Sequence, residues 1–385
     1  MCVQETEAQG VFRLFARATP ARVEARAHAR YIQAMSLLRD IGRARYAAAQ
    51  GARVAWYMSQ YLLARRISGP FNRPGEPKFE PQAPEGDAQS IRTAFLDLFA
   101  RDRANIEAGY YPAPDDIRLT RAIEALRSSA NFFRDLPRVD QRRLERDGTE
   151  VREQAKGDGR YPTYYLQNFH YQTGGWLSQD SAKLYDTQVE ILFGGAADAM
   201  RRIALGSLSR AIRGTDQRKV KLLDVASGNG RFLSQVLAAY PRIPATGLDL
   251  SPAYCEEARK RLGAWPQVEI VTGAIEQAPF EDASFEAATC VYLFHELPPR
   301  VRRDAAREIA RILKPGATFV LADSIQTGDA ADLDRMLEYF PVGFHEPYFT
   351  SYLKEDFAAL FGEHGFEVEE TELAFLTKVT RFRKR

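Results

Sequence analysis

One segment, LLDVASGNGRF over Leu222–Phe232, constrains the fold more than any other part of the sequence. An apolar run that ends at Asp224 predicts a buried strand. The small residues Ala226, Gly228 and Gly230 then predict a tight turn that opens a helix. Glycine lets ligand atoms approach the backbone, and the first turn of a helix offers unpaired N–H groups to an anionic group. The segment therefore predicts a strand, a turn and a helix that together hold a ligand.

Residues 215–385 alternate short β-rich runs with helical segments throughout. The predicted strands are 221–225, 245–250, 268–271, 287–293, 318–322, 367–371 and 374–379. Such alternation indicates a mainly parallel sheet with helices on both faces, which is an α/β fold.

The first 214 residues have apolar side chains mostly at helical spacing. The predicted helices are 20–41, 43–66, 88–107, 114–134 and 138–155. Prolines at 70, 74, 77, 81 and 84 remove backbone donors, so this stretch predicts a loop or surface strap. We expect a mainly α-helical N-terminal domain over residues 1–159 and a helical lid or connector over residues 160–214.

Aromatic residues crowd the segment 160–192 around His170 and the Gly174-Gly175 pair. They are Tyr161, Tyr164, Tyr165, Phe169, Tyr171, Trp176 and Tyr185. Aromatic side chains dominate ordinary cores, but buried tyrosine and tryptophan also need polar partners. Both an aromatic core between helices and the wall or lid of a pocket fit this pattern.

A second acidic residue, Asp249 in GLDLSP, follows the next predicted strand, where a carboxylate accepts both hydroxyls of a ribose. A dinucleotide enzyme would need a third glycine after the turn, but this chain has Leu233 there. Asp224 would repel a pyrophosphate and suits an ammonium group better. S-adenosylmethionine has an ammonium group, a carboxylate, a ribose and an adenine. The alternatives are a dehydrogenase that uses a nicotinamide cofactor and a non-catalytic cofactor-binding or scaffold protein.

At this point residues 215–380 resemble the class I S-adenosylmethionine-dependent methyltransferases, in particular the type 11 group that includes the ubiquinone and menaquinone biosynthesis methyltransferases. The resemblance depends on five blocks in order: DVASGNG, GLDLSP, GAIEQAPF, CVYLFHELP and LKPGATFVLAD. It implies a Rossmann-like sheet of seven strands, the last of them antiparallel. It also implies S-adenosyl-L-methionine as cofactor and a small, aromatic or apolar molecule as methyl acceptor.

The resemblance also implies a set of cofactor-binding residues. Asp224 and Gly228 would hold the methionine portion, and Asp249 the ribose. Ala274 stands where family members usually have an aspartate for the adenine amine, so backbone groups near Ala274 and Ile275 would take that part. The full set is Asp224, Ala226, Gly228, Gly230, Asp249, Leu250, Ala274, Ile275 and Val291.

Three histidines, His295, His170 and His345, are the candidate catalytic groups. Histidine titrates near neutral pH and can remove a proton from a weakly acidic acceptor. Each histidine also fits a structural role, such as a helix cap or a satisfied connector. No metal is expected, because Leu-Pro-Pro follows His295-Glu296 and no H-E-x-x-H motif forms.

Composition limits the partners and the compartment. The net charge of +2, and the absence of an Asn-Pro-Pro-Tyr or Asp-Pro-Pro-Tyr motif, disfavour nucleic acid as substrate. Three cysteines form no disulfide framework, and no signal peptide or membrane span is evident, so we expect a cytoplasmic protein. The first 66 residues hold 11 arginines against four acids, among them Arg13, Arg17, Arg22, Arg26 and Arg30. This face suits water, an acidic partner or peripheral contact with an anionic membrane, and a homodimer also stays open.

Overall fold

The computed structural model describes residues 20–70, 75, 77–114, 119–155 and 159–385. The chain divides into two compact units, Met1–Gly51 and Ala52–Arg385. In the first unit the described backbone is helical. The five arginines named above lie outside the residues whose side chains are described.

Helix α1 is Pro20–Ile67, where the sequence predicted two helices. Gly42 falls inside α1, since one glycine weakens a helix by about 1 kcal/mol without ending it. Helix α3 (Leu119–Glu145) likewise continues through Pro137, where the sequence predicted two helices. A proline removes only one helical hydrogen bond, so neighbouring contacts can hold such a helix together. The further helices are α2 (Ala88–Glu107), α3 (Leu119–Glu145), α4 (Glu150–Gln154), α5 (Gln179–Leu192) and α6 (Ala197–Ile212).

Seven strands form one sheet in the order β3-β2-β1-β4-β5-β7-β6. They are β1 (Leu222–Val225), β2 (Ala245–Asp249), β3 (Val268–Thr272), β4 (Phe285–Val291), β5 (Leu313–Ser324), β6 (Phe366–Ala374) and β7 (Thr377–Lys384). The first five are parallel, and β7 is antiparallel to both β5 and β6. The predicted α/β fold, its seven strands and its antiparallel last strand are confirmed.

The last strand begins later than the sequence predicted. Ala374 pairs with Thr377, so the residues between them form the turn, and Phe375 takes a positive φ of 57°. The apolar run 374–376 is therefore a hairpin turn, and alternation alone does not distinguish such a turn from a strand.

The remaining helices complete the layers around the sheet. They are α7 (Arg231–Ala239), α8 (Pro252–Leu262), α9 (Pro299–Ile312), α10 (Ala331–Gly343), α11 (Phe349–Tyr352) and α12 (Phe357–Gly362). Helix α6 is buried along nearly its whole length and packs against β5, β7 and α2. In the part of the chain that the structure describes, no helix is long and apolar enough to cross a membrane.

Hydrogen bonds that involve side chains connect the helical segments after residue 52 to the elements around the sheet. Asp102 of α2 accepts two hydrogen bonds from Arg202 of α6, at 2.9 and 2.6 Å. The backbone N–H of Gln82, in the proline-rich strap, donates to the Glu338 carboxylate of α10 at 2.6 Å. Helix α3 donates from Arg142 to the carbonyl of Tyr171 at 2.9 Å. These bonds hold α2, the strap and α3 against the elements that frame the sheet.

Candidate active site

The turn after β1 has three residues in the left-handed region. Ala226, Gly228 and Gly230 have φ values of 53°, 54° and 76°. A Cβ on Gly230 would approach the Leu262 Cδ1 atom to 3.0 Å, so this glycine lets α7 pack against α8. The sequence predicted a tight turn of small residues here, and at Ala226 this turn requires a positive φ that favours glycine.

Ala226→Gly should therefore stabilise the protein by about 0.5 kcal/mol. Glycine removes left-handed strain of roughly 1–2 kcal/mol, less about 0.4–1 kcal/mol for the added freedom of the unfolded chain. Urea unfolding of the full chain measures the change. The matched substitution Ala238→Gly, at an exposed helical position of α7, should destabilise the protein by about 0.5–1 kcal/mol. Equal effects at the two positions would contradict the strain assignment.

Two carboxylates, the buried Asp224 and the half-buried Asp249, lie at the carboxyl ends of adjacent strands. Asp224 accepts a hydrogen bond from the Thr289 hydroxyl at 2.7 Å. Asp249 accepts from the backbone N–H groups of Gly228 and Ser251, both at 2.8 Å. Burial raises the pKa of Asp224 to about 7 and that of Asp249 to about 6. Within the described residues, no cationic side chain acts on the pKa of either group. The pair is thus suited to a cationic ligand that also carries hydroxyl groups.

These carboxylates open into a cleft of about 1050 Å³, a volume that includes the open solvent at its mouth. Eight of the nine predicted cofactor residues line it, namely Asp224, Ala226, Gly228, Asp249, Leu250, Ala274, Ile275 and Val291. Gly230 is not among the described residues that line the cleft; its lack of a side chain instead allows α7 to pack against α8.

Part of the cleft wall comes from the aromatic segment 160–192. Of the two roles that fit its sequence, a core between helices or the wall of a pocket, the structure shows the pocket wall. Tyr164, Tyr165, Phe169, Trp176 and Tyr185 line the cleft. The Trp176 ring packs edge-on against Tyr185 and Tyr254, with ring centroids 5.4 and 5.5 Å apart. Helix α5, which carries Tyr185, is capped by Ser178, whose hydroxyl accepts a hydrogen bond from the backbone N–H of Ser181. The cleft is therefore largely apolar around a few polar groups.

Sequence reasoning missed two arginines at the rim of the cleft. Arg201 and Arg231 both line it. With Arg53 they surround the buried carboxylates of Glu190 and Asp198. Three guanidinium groups face two carboxylates here, which favours an anionic group in the cleft. Arg201 lies in the helix α6 segment, outside the motif blocks, so only the folded chain reveals its position.

Glu276, two positions after Ala274, is a third residue that the sequence analysis missed. Its Oε1 atom accepts a hydrogen bond from the Tyr164 hydroxyl at 2.6 Å. Its Oε2 atom is buried with no hydrogen-bond donor among the described residues. Glu276 lines the cleft, so this oxygen can accept from an amine of a bound ligand.

The three predicted catalytic histidines separate into two places. His295 and His170 come together with Glu296, and one ligand atom of each lies within 4.8 Å of the other two. Of these three, the cleft wall within the described residues includes Glu296. His345 instead bonds Gln167 through its Nε2 atom at 2.7 Å. Its neighbour Glu346 reaches the pair, with Oε1 3.2 Å from the His170 Nε2 atom.

The electrostatics of this cluster differ from those of free histidine. Burial lowers the pKa of His295, but the charge and hydrogen bond of Asp323 outweigh it and raise that pKa to about 9. Burial, together with the positive charge of His295 and His345, lowers the pKa of His170 to about 3. Burial, offset in part by His295, raises the pKa of Glu296 to about 8. These shifts place the pKa of His295 above, and that of His170 below, the ordinary value of histidine. The sequence signal for these acids was the repeated His-Glu pair at 295–296 and 345–346.

Comparison with known proteins agrees with this geometry. Residues 222–316 match the family model described as a methyltransferase domain. Residues 222–316 therefore form a methyltransferase domain. The ubiquinone/menaquinone biosynthesis C-methyltransferase of Methylobacterium nodulans is 31% identical over 162 residues, which cover 41% of this chain and 62% of that protein. The demethylmenaquinone methyltransferase of Chlorobaculum tepidum is 31% identical over 167 residues, which cover 43% of this chain and 64% of that protein. The chain thus spans somewhat less than two thirds of the length of these curated relatives.

A solved structure of an S-adenosylmethionine-dependent methyltransferase from Aquifex aeolicus aligns with a TM-score of 0.36 at 15% identity. The alignment covers 47% of this chain and 89% of the chain in that structure. The methyltransferase resemblance that the sequence indicated is confirmed by the family model and the relatives.

Proposed function

We propose that this chain transfers a methyl group from S-adenosylmethionine to a small aromatic or apolar acceptor. The observation that carries the proposal is the pair Asp224 and Asp249, which line an aromatic cleft where, among the described residues, no cationic side chain acts on the pKa of either. S-adenosylmethionine supplies a sulfonium methyl group that an acceptor takes in an in-line displacement, so alignment and exclusion of water do most of the catalysis.

The residues of the cleft fit the parts of this cofactor. Asp224 would hold the ammonium group and Asp249 the ribose hydroxyls, with Gly228 leaving room at the turn. The excess positive charge at Arg201 and Arg231 suits the methionine carboxylate. Ala226, Leu250, Ala274, Ile275 and Val291 would complete the predicted cofactor wall.

Glu276 fits the adenine amine better than backbone groups alone. Its unpartnered buried oxygen supplies the acceptor that Ala274 lacks. A nicotinamide dehydrogenase is disfavoured, because Asp224 would repel its pyrophosphate and Leu233 occupies the third glycine position. A non-catalytic cofactor-binding protein is the second candidate. Methyl transfer to any acceptor separates it from an enzyme.

We propose the chemical class of the methyl acceptor from the aromatic wall of the cleft and from the names of the relatives. Those names refer to ubiquinone, menaquinone and demethylmenaquinone. A ring of that kind would pack against Phe169, Trp176 and Tyr185. We assign His295 and His170 to the acceptor side, and His345 stays a predicted catalytic residue without a contact to the cleft wall. Radiolabelled S-adenosylmethionine with a panel of quinone and hydroxylated aromatic precursors tests the acceptor class.

Asp249→Asn should weaken S-adenosylmethionine binding roughly 30-fold, because hydrogen bonds to a charged group contribute about 1.5–3 kcal/mol. Calorimetry on the full chain measures the dissociation constant. Asp282→Asn, an exposed acid outside the cleft, is the control and should bind like the unmodified chain. Absence of binding by the unmodified chain, or equal affinity of the two variants, would refute the assignment.

Cofactor affinity should fall by roughly tenfold or more between pH 8 and pH 6. Asp224 and Asp249 take up protons in this range when no cofactor is bound, because burial raises their pKa values to about 7 and 6. A cationic ligand needs both ionised, so each protonated carboxylate lowers the affinity. Calorimetry across this range measures the effect, and Asp224→Asn should flatten the upper part of the profile. A profile independent of pH would contradict the proposed contacts.

The raised pKa values also make the stability of the cofactor-free protein depend on pH. A carboxyl group whose pKa is raised in the folded state contributes less to the free energy of unfolding as pH rises from about 4, its pKa in the unfolded chain, toward 7. Bound cofactor offsets this loss, so its thermal stabilisation should be larger at pH 8 than at pH 5.

The division into residues 1–159, 160–214 and 215–385 stays our proposal, with the middle segment acting as cover for the cofactor. Cytoplasmic location, peripheral membrane contact and a homodimer stay predictions as well. Analytical ultracentrifugation and vesicle flotation of the full chain test the last two.

A further inference from the structure

We propose that His170, His295, Glu296 and Glu346 form a binding site for a divalent transition-metal ion, with zinc(II) the best match. Two imidazoles with one or two carboxylates are a common ligand set for zinc. The site lies beside the cleft at Glu296.

The ligand atoms already lie near coordination distances from one another. The Glu296 Oε1 atom is 3.9 Å from the Nε2 atoms of both His170 and His295. The Glu346 Oε1 atom is 3.2 Å from His170 Nε2. Ligands bound at ~2.0–2.2 Å in a tetrahedron are roughly 3.3–3.6 Å apart. The ligand atoms of His170, His295 and Glu296 lie within 4.8 Å of one another, so side-chain movements would bring them to coordination distance.

Glu346 is an independent observation that points to a cation. Its side chain is 0% exposed, and neither oxygen has a hydrogen bond among the described residues. The contact with His170 lacks hydrogen-bonding geometry despite its short distance. A buried carboxylate without a donor is costly, and a metal ion would remove that cost.

The surroundings orient the imidazoles toward this point. His295 donates from Nδ1 to Asp323 Oδ1 at 2.6 Å, which directs its Nε2 atom into the cluster. Metal-binding histidines usually donate their other N–H in this manner, which fixes the ring. Asp323 also accepts from the backbone N–H of Phe294 at 2.8 Å, so it positions the turn as well. His170 and Tyr171 have φ values of 54° and 56°, which is strained backbone at the other imidazole.

Charge leads to the same conclusion. Glu296, Glu346 and Asp323 place three carboxylates around two imidazoles in a buried region. In the described part of the chain, no lysine or arginine forms an ion pair with Glu296 or Glu346. A dication would offset two of these three negative charges. H-E-x-x-H spacing could not reveal it, since the ligands come from three separate segments.

The position of Glu296 suggests what the ion does. An ion held there borders the cleft, where it would bind an oxygen of the methyl acceptor and favour its ionised form. This role rests on the proposed function, whereas the binding site itself does not.

The test uses the full chain without a histidine tag, treated with a chelator and then titrated with Co²⁺ or Zn²⁺. We expect one equivalent to bind, with the visible absorption of Co²⁺ reporting nitrogen and oxygen ligands. His170→Ala and Glu346→Gln should each weaken binding about 10- to 100-fold. His364→Gln, a histidine outside the cluster, is the matched control and should bind normally.

No binding of either ion by the unmodified chain, or equal binding by the cluster variants and the control, would overturn the site. Circular dichroism of each variant checks folding, and Glu346→Gln keeps the side-chain shape if His170→Ala does not fold. Calorimetry with S-adenosylmethionine on the same metal-free sample separates a failed metal site from a failed cofactor proposal.

Discussion

Asp102→Ala should lower the free energy of unfolding by about 3–5 kcal/mol, the usual cost of removing one partner of a buried ion pair. The Asp102 side chain is 0% exposed and that of Arg202 is 5% exposed. Their two hydrogen bonds join α2 to α6, and the Tyr111 hydroxyl donates a third to Asp102 at 2.9 Å. Without the carboxylate, the Arg202 guanidinium would stay buried and charged. Reversible urea unfolding of the full chain measures the loss.

Asp97→Ala is the matched control, because Asp97 is an exposed acid on the same helix. It should change stability by less than about 0.5 kcal/mol. Asp102→Asn keeps the shape and should fall between the two. A loss for Asp102→Ala no larger than that for Asp97→Ala would show that the pair contributes little.

The effect should extend to the cleft. Arg202 is adjacent to Arg201, which lines the cleft and contacts Asp198 at 3.2 Å. Loosening α6 would therefore also displace a proposed cofactor contact. This connection gives α2 a definite task, which the sequence alone could not assign to the helical half.

Local patterns explain which parts were predictable from sequence. The turn at Ala226–Gly230 and the acid Asp249 follow from strand, glycine and spacing within short segments, and the structure brings them to one edge of the sheet. The wall residue Arg201 and the unpartnered Glu276 oxygen depend on tertiary packing, and no local pattern marks them. The same holds for the cluster at His170, whose members are joined only when the aromatic segment packs against the loop after β4. The merged helix at Pro137 is a similar case, because contacts outside the helix override the local breaker.

His295→Ala should lower methyl transfer about 10²- to 10⁴-fold while S-adenosylmethionine affinity changes less than about threefold. His295 is not among the described residues that line the cleft with Asp224 and Asp249, so we expect it to have no direct part in cofactor binding. The measurement pairs single-turnover transfer of a labelled methyl group with calorimetry. His364→Ala is the control and should keep both properties. Unchanged transfer in His295→Ala would remove His295 from the reaction, and lost cofactor affinity would make its role structural.

The two roles left for His295 give different results in metal-free protein. If His295 acts as a proton acceptor by itself, chelator treatment leaves transfer by the unmodified chain intact, while His295→Ala stays impaired. If it acts by holding a metal ion, chelation lowers transfer toward that of the variant, and added Zn²⁺ restores only the unmodified chain. The bond from His295 to Asp323 and the unpartnered Glu346 carboxylate favour the second result. Because a bound ion would hold the Nε2 atom of His295, that atom cannot also accept the proton of the acceptor.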